Sequence, residues 1–235
     1  MATADSTRRQ TVRATLTGTR QIERPAPLRL AVYEALVELI IDGSLQPGQH
    51  LAESELADHL GVSRQPVREA LQRLQTEGWV DLRPAQGAFV HTPTEGEVDQ
   101  LLAVRALLET ESARLAALHA GPADVDRLWE LQRDGELALA SDDVERLVAA
   151  NTTLHAFIVS LSGNAVLAEL LSLVERRMRW YYRPIARPRG KDAWREHAQM
   201  IRAIAANDEA KAVEIMTRHT ARTREAYHHE KSTTA

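Results

Sequence analysis

A helix-turn-helix pattern between Glu53 and Leu74 constrains this chain more than any other feature. An apolar-periodic segment ends at Gly61, and a second helix is predicted to begin at Ser63. Ser63 is a favourable N-cap residue, and Pro66 falls in the first turn, where its missing N–H costs no helical hydrogen bond. Two short helices joined by a glycine turn, the second carrying arginines, are typical of a motif that enters the DNA major groove.

The start of the second helix carries the side chains that could contact DNA. Arg64 and Arg68 lie one turn apart on one helix face, and arginine is the best bidentate donor to guanine O6 and N7. Ser63 and Gln65 are placed to reach phosphates or bases. The alternative is that the arginines are surface charges paired with Glu69 and Glu77. The glycine turn, the helix spacing and the segments that follow favour the DNA-binding interpretation.

The segments on either side of the motif complete a small domain. The pattern predicts a helix over 28–42, a short extended piece at 50–51, and strands over 79–82 and 88–92. The turn between the two strands contains Gln86 and Gly87, which could reach the minor groove or a phosphate. Three helices followed by a hairpin predict a winged helix over residues 27–93.

Composition narrows the class of protein. Hydrophobic residues make up 44% and aromatic residues 4%, which favours a globular and mainly helical fold. The absence of cysteine excludes disulfides, thiolate zinc sites and cysteine nucleophiles. No apolar run approaches the roughly 20 residues of a membrane span, and the N-terminus lacks the apolar core of a secretory signal. We therefore expect a cytoplasmic protein that does not bind membranes.

Bulk charge does not indicate nucleic-acid binding. The net charge is -4, and residues 1–93 hold 10 Arg against 11 Asp and Glu. Any affinity for DNA must come from the local placement of arginines. Residues 1–26 carry five Arg without hydrophobic periodicity, and we interpret them as a mobile arm. The alternative is a solvated tail with no function.

The rest of the chain predicts an all-α bundle over residues 94–229, followed by a disordered tail over 230–235. Six helices are expected, near 95–119, 123–140, 142–162, 164–182, 191–206 and 208–228. The segments between them contain Gly, Ser and Pro, including the stretch 184–190. An apolar stripe on the fourth of these helices is expected to pack the bundle and to contribute to a dimer interface.

Three histidines of the bundle are candidate metal ligands. His155 lies four residues after Asn151, which puts both on one helix face, and His197 and His219 lie near the middle of the last two helices. Three imidazoles and one oxygen could converge inside a bundle and suit Zn²⁺, Ni²⁺ or another first-row divalent metal. The alternative is that they are scattered polar residues.

Residues 28–92 resemble the winged-helix domain of GntR-family bacterial transcription regulators. The resemblance is carried by Pro47-Gly48, the run from Gly61 to Leu71, Glu77-Gly78 and the run from Gly87 to Val90. It implies DNA contacts from the start of the recognition helix and from the wing. The corresponding residues here are Ser63, Arg64, Gln65, Arg68 and Gly87. A basic residue that often contacts DNA from the preceding helix corresponds to Ser54 here.

Residues 95–228 resemble the FCD ligand-binding domain of the FadR subfamily, in its six-helix VanR-like branch. The motifs are Leu154-His155, Ser162-Gly-Asn164, Glu196-His197 and Arg218-His219. The resemblance implies a divalent metal held by His155, His197 and His219, with Asn151 at a position where an Asp is usual. It also implies a small organic acid as effector. Arg105 could bind its carboxylate in a bidentate fork, or could instead pair with Glu109.

These features together predict a ligand-responsive transcription regulator, expected to be a repressor. A homodimer would present two recognition helices to a pseudopalindromic operator in double-stranded DNA. One alternative is a metal-dependent enzyme with an accessory DNA-binding module. The chain has no HExxH motif and no acidic residue at a spacing typical of a general base, which argues against this alternative. The other is a DNA-binding protein with an empty bundle.

Overall fold

The computed structural model of the chain describes residues 28–141 and 143–234. The predicted fold class is confirmed: a winged helix is followed by an all-α bundle. The winged helix consists of α1 (Leu28–Ile41), β1 (His50–Leu51), α2 (Glu53–Leu60), α3 (Arg64–Thr76), β2 (Val80–Arg83) and β3 (Gly87–Val90). The expected arm over residues 1–26 lies outside the described residues.

The turn between α2 and α3 has the geometry that its sequence predicts. Gly61 adopts the left-handed conformation, with φ of 65°, and its N–H bonds back to the carbonyl end of α2. Ser63 is extended and precedes the first residue of α3, but its side chain makes no capping hydrogen bond. Its hydroxyl is therefore left for another partner.

A three-stranded antiparallel sheet closes the winged helix. β3 lies in the centre, in the order β1-β3-β2, with His50 opposite Phe89 and Val80 opposite Val90. Beneath it, Leu36, Val67 and Leu74 are fully buried. α3 packs against α1 and against β2, which fixes its position in the domain.

The bundle contains six α-helices within the described residues, as predicted. They are α4 (Glu95–His119), α5 (Pro122–Ala140), α6 (Val144–Leu161), α7 (Ala165–Tyr182), α8 (Ala186–Ala205) and α9 (Glu209–Thr234), with a 3₁₀ turn at Arg183–Ile185 between α7 and α8. A capping box between Thr94 and Glu97 starts α4 directly after the winged helix. No helix in the described part of the chain has the length and apolarity needed to cross a membrane.

Two predicted boundaries of the bundle are wrong. The stretch 184–190, expected to separate two helices, is a 3₁₀ turn followed by the first turn of α8. Pro188 lies within that first turn, where an N–H has no helical acceptor, and Gly190 is packed so closely that a Cβ would lie 2.7 Å from Leu139. At the other end, α9 continues to Thr234, so residues 230–234 are helical and do not form the expected disordered tail.

The two domains share one buried core. Trp79 of the winged helix and Trp180 of α7 are both buried, with ring centroids 5.5 Å apart. Arg177 lies 5.5 Å from the Trp79 ring and donates a hydrogen bond to the backbone carbonyl of Glu77. The C-terminal half of α7 is therefore one part of the bundle against which the winged helix packs.

Candidate metal centre and DNA-binding face

Three histidines meet inside the bundle. His155 on α6, His197 on α8 and His219 on α9 are all buried, and each offers a nitrogen within 4.8 Å of the others. The Nε2 atoms of His155 and His197 are 3.2 Å apart. The structure thus brings together residues that lie on three different helices, at a spacing that one metal ion could bridge.

Carboxylates behind two of the rings fix their orientation. Glu196 Oε2 lies 2.9 Å from His219 Nδ1, and Glu109 Oε1 lies 3.0 Å from His155 Nδ1, the latter a close contact without hydrogen-bond alignment. Such contacts favour a proton on Nδ1 and leave the Nε2 lone pair for a metal. Arg189 and Arg222 in turn donate hydrogen bonds to Glu196. This carboxylate–histidine arrangement is typical of metal sites.

Burial keeps two of the three imidazoles, those of His197 and His219, in the protonation state that binds metal. Desolvation lowers the pKa of His197 well below its usual value, with a further contribution from its neighbours His219 and His155. Desolvation also lowers the pKa of His219 to about 4, against the opposing effect of the hydrogen bond that His219 donates to Glu196. Both imidazoles are neutral near pH 7, as ligation requires.

Asn151 supplies an oxygen that has no other partner. Its side chain is buried, and its Oδ1 accepts no hydrogen bond from any described residue. His197 Nδ1 is likewise without a hydrogen bond in the described part of the chain. A buried polar atom that loses its hydrogen bonds costs about 1–3 kcal/mol, which a bound ion or ligand would offset. Three imidazole nitrogens and one amide oxygen fit a first-row divalent metal.

A cavity of about 250 Å³ lies next to the cluster. Its wall combines polar and apolar side chains. The polar lining includes Arg105, Glu109, Asn151, His155 and Tyr182, and the apolar lining includes Val159, Leu171, Val174 and Met178. The Tyr182 hydroxyl is buried, has no hydrogen-bond partner among the described residues, and has a pKa that burial raises to about 12. The cavity could therefore hold a small molecule that has both a polar group and an apolar body.

Arg105 lines this cavity and is also paired. Its Nε donates to Glu109 Oε1 at 2.9 Å, and both side chains are buried. Burial would raise the pKa of Glu109, but Arg105 and His155 lower it to about 2. The residue expected to bind a carboxylate thus already has one beside it. Glu109 appeared in the sequence only as that possible partner, and its contact with His155 was not predicted.

The candidate DNA-binding residues lie on the exposed side of the winged helix. Arg64 and Arg68 remain well exposed at the start of α3. Arg68 forms a bidentate pair with Glu53, with Nε–Oε1 at 2.9 Å and Nη2–Oε2 at 2.7 Å. Arg64 Nη2 lies 3.9 Å from the same carboxylate. The glutamate beside both arginines is therefore Glu53 on α2, a partner that sequence reasoning missed.

Other residues of the face lie where the pattern predicts. Gln65 donates to Glu69 at 2.8 Å, so that glutamate holds the glutamine rather than an arginine. Gly87 lies at the tip of the wing with φ of 99°, and a Cβ there would approach His50 Nε2 to 2.9 Å. Only glycine fits this position without strain. The start of α3 and Gly87 are thus both exposed.

Comparison with known proteins identifies both domains. The family of bacterial regulatory proteins named gntR matches residues 28–90, and the FCD domain matches residues 100–222. The transcriptional regulator McbR of Escherichia coli is 31% identical over 151 residues, covering 64% of this chain and 68% of McbR. The transcriptional repressor RspR of Escherichia coli is 23% identical over 203 residues, covering 85% and 88%.

A solved structure has the same fold. The structure of E. coli McbR/YncC aligns with a TM-score of 0.74 at 24% identity, over 87% of this chain and 99% of that one. The matched domains and relatives are those of transcription regulators and not of enzymes. The chain accordingly belongs to the GntR family and is a DNA-binding transcription regulator with a C-terminal FCD domain.

Proposed function

We propose that the protein is a repressor whose operator binding responds to a small organic acid held beside a divalent metal in the FCD domain. The observation that carries this proposal is the buried histidine cluster, of which His155 lines a cavity. Asn151 Oδ1, buried without a hydrogen-bond partner among the described residues, lines the same cavity and would add a fourth donor. The name of the relative RspR supports the sign of regulation.

The proposed metal ligands are His155, His197, His219 and Asn151, with Zn²⁺ or Ni²⁺ as candidate ions. When bound, the metal would supply a positive centre that attracts a carboxylate into the cavity. Imidazole nitrogens and an amide oxygen ligate as neutral groups, so these four ligands would not offset the charge of the ion. Glu109 and Glu196 hold two of the rings in place from behind.

The proposed effector is a small carboxylate with an apolar body. The apolar part of the cavity, including Leu171, Val174 and Met178, would hold that body. The buried Tyr182 hydroxyl and the Arg105 guanidinium are polar groups in the same wall. Arg105 would share its donors between Glu109 and the incoming carboxylate.

The proposed DNA contacts are those of α3 and the wing. Arg64 and Arg68 would read base edges, Ser63 and Gln65 would contact phosphates or bases, and Gly87 would bring the wing backbone to the groove. Ser63 is suited to this because its hydroxyl makes no capping bond. Because the target is DNA, we expect the protein to act in the cytoplasm.

We propose that the protein is a homodimer. Five large apolar side chains on α4 and α7 are exposed in the single chain, at 46–74% of their surface. They are Val104, Leu107, Val166, Leu170 and Leu173. An apolar patch of this kind marks an interaction site, and a two-fold dimer would place two recognition helices on a pseudopalindromic operator.

Metal analysis tests the centre of this proposal. Tag-free protein should contain about one divalent metal per chain, and His155→Ala should contain almost none. The control is His59→Ala, which removes an exposed histidine of α2 outside the cluster. Equal metal content in all three proteins would refute the metal site.

Operator binding tests the regulatory part. A duplex selected in vitro with the wild-type protein would be titrated with and without a panel of organic acids. The proposal expects release of DNA by at least one acid in the metal-loaded protein. Unchanged DNA affinity across the panel would favour a regulator with an empty bundle.

A further inference from the structure

Helix α7 contacts both the cavity beside the histidine cluster and the winged helix. One face, including Leu171, Val174 and Met178, lines the cavity beside the histidine cluster. The C-terminal half of the same helix packs on the winged helix through Trp180 and Arg177. A ligand in the cavity therefore contacts the element that holds the DNA-binding domain.

Two ion pairs tie α7 to α1 of the winged helix. Arg176 Nη2 lies 2.7 Å from Glu34 Oε2. Arg179 binds Glu38 in a fork, with Nη1–Oε1 at 3.0 Å and Nη2–Oε2 at 2.8 Å. The two glutamates lie one helical turn apart, as do the two arginines, so the pairs run side by side along the contact.

Arg179 belongs to both regions. Among the described residues, two arginines line the cavity, Arg105 and Arg179, whereas Arg176 and Arg177 do not. Arg105 pairs within the cavity wall, with Glu109. Arg179 pairs outside it, with Glu38 of the other domain. A ligand that displaced Glu109 from Arg105 would leave a buried carboxylate unpaired. A ligand that displaced Glu38 from Arg179 would not, because the Glu38 side chain is exposed.

We propose that Arg179 is the residue through which a carboxylate in the cavity acts on the winged helix. The proposal rests on the proposed effector site. An acid in the cavity and Glu38 would compete for one guanidinium fork. When the Arg179 guanidinium binds the ligand, α1 loses its bidentate contact with α7. The Arg176–Glu34 pair and the Arg177 contact remain, and the winged helix could rotate about these two contacts.

Linkage makes a distinctive prediction from this competition. If the ligand weakens the Arg179–Glu38 pair, the pair must weaken ligand binding by the same free energy. Removing Glu38, which lies outside the cavity, should therefore tighten binding of an acid. Removing Arg179 should weaken it. Opposite effects from the two ends of one ion pair are not expected from general destabilisation.

The experiment uses benzoate as probe, with neutral benzamide for comparison, on the full-length metal-loaded protein. Isothermal titration would compare wild type, Glu38→Gln and Arg179→Gln. Glu34→Gln is the matched control, because it breaks the neighbouring pair and leaves Arg179 and the cavity intact. Thermal denaturation of each variant would verify that it is folded.

We expect Glu38→Gln to bind benzoate about two- to fivefold more tightly, the range that a partly exposed ion pair supports. Arg179→Gln should bind about tenfold more weakly, as for a lost hydrogen bond to a charged group. Glu34→Gln should match wild type within about twofold, and benzamide affinity should not respond to any of the three changes.

Equal benzoate affinity in wild type and Glu38→Gln would overturn the inference. So would unchanged binding by Arg179→Gln, or no benzoate binding by any variant. Metal content and operator binding, measured on the same proteins, show whether only the role of Arg179 is wrong or the proposed function is wrong as well. If wild type retains its metal and releases the operator with some other acid, the proposed function stands and only the role of Arg179 fails. If it does neither, the proposed function fails as well.

Discussion

The Glu53→Gln substitution tests how the DNA-binding face is organised. Glu53 binds Arg68 in a fork and lies 3.9 Å from Arg64 Nη2. The hydrogen bond from Arg68 lowers the pKa of Glu53, so the carboxylate is ionised at neutral pH and offsets one of the two cationic charges. Glutamine keeps the shape of the side chain and removes its charge.

The expected effect on DNA binding follows from that one charge. Each phosphate contact contributes about -0.9 to the slope of log K against log salt concentration. Freeing one arginine should make this slope steeper by about that amount, which corresponds to a roughly threefold larger loss of affinity between 50 and 200 mM salt. Affinity for non-specific duplex at low salt should rise. The preference for the operator should fall about tenfold, because Arg68 is no longer held in a fixed orientation toward a base.

Fluorescence anisotropy with the selected operator and a scrambled duplex, at four salt concentrations, would measure both quantities. Glu55→Gln is the matched control, since it removes the same charge from an exposed position of α2. If the two variants show the same salt slope and the same operator preference, the idea that Glu53 orients Arg68 is incorrect.

Three further predictions concern the bundle. Gly135→Ala should destabilise the fold by about 2–3 kcal/mol in chemical denaturation, because the new Cβ would lie 1.9 Å from the Trp194 ring. Gly96→Ala, with open space around it, should not. Glu196→Gln should lower metal affinity about 10- to 100-fold, since it weakens the contact that orients the His219 ring. A chelator competition would measure this, and an affinity equal to that of the wild type would contradict it. In metal-free protein the depressed pKa of His219, about 4, contributes stability that is present above the usual pKa of 6.5 and lost as the pH falls toward 4. Denaturation midpoints that stay constant across that range would contradict the assignment.

The features that the sequence predicts well are those with local signals. The turn at Gly61 and the wing at Gly87 need a backbone conformation that glycine adopts without strain, and both lie where expected. The meeting of His155, His197 and His219 was expected from their placement on separate helices together with the family resemblance. In each case the residue type itself carries the information.

The features that were missed depend on contacts across the fold. Glu53 and Arg68 are 15 positions apart, and Glu38 and Arg179 are 141 apart. Charged residues are common on helix surfaces, so no pattern in the chain singles out these pairs. The segment 184–190 was misjudged for a different reason. Its prolines and glycine also suit a helix start and a close helix contact, and tertiary packing decides between the two.

The contact between Trp79 and Trp180 has a practical consequence. The two indole rings belong to different domains, are buried together with centroids 5.5 Å apart, and have the Arg177 guanidinium beside them. Indole emission depends on the polarity and charge around the ring. A shift of the winged helix against α7 would change that surrounding for both rings at once. The protein's intrinsic fluorescence should therefore report the relative position of its two domains without any attached dye.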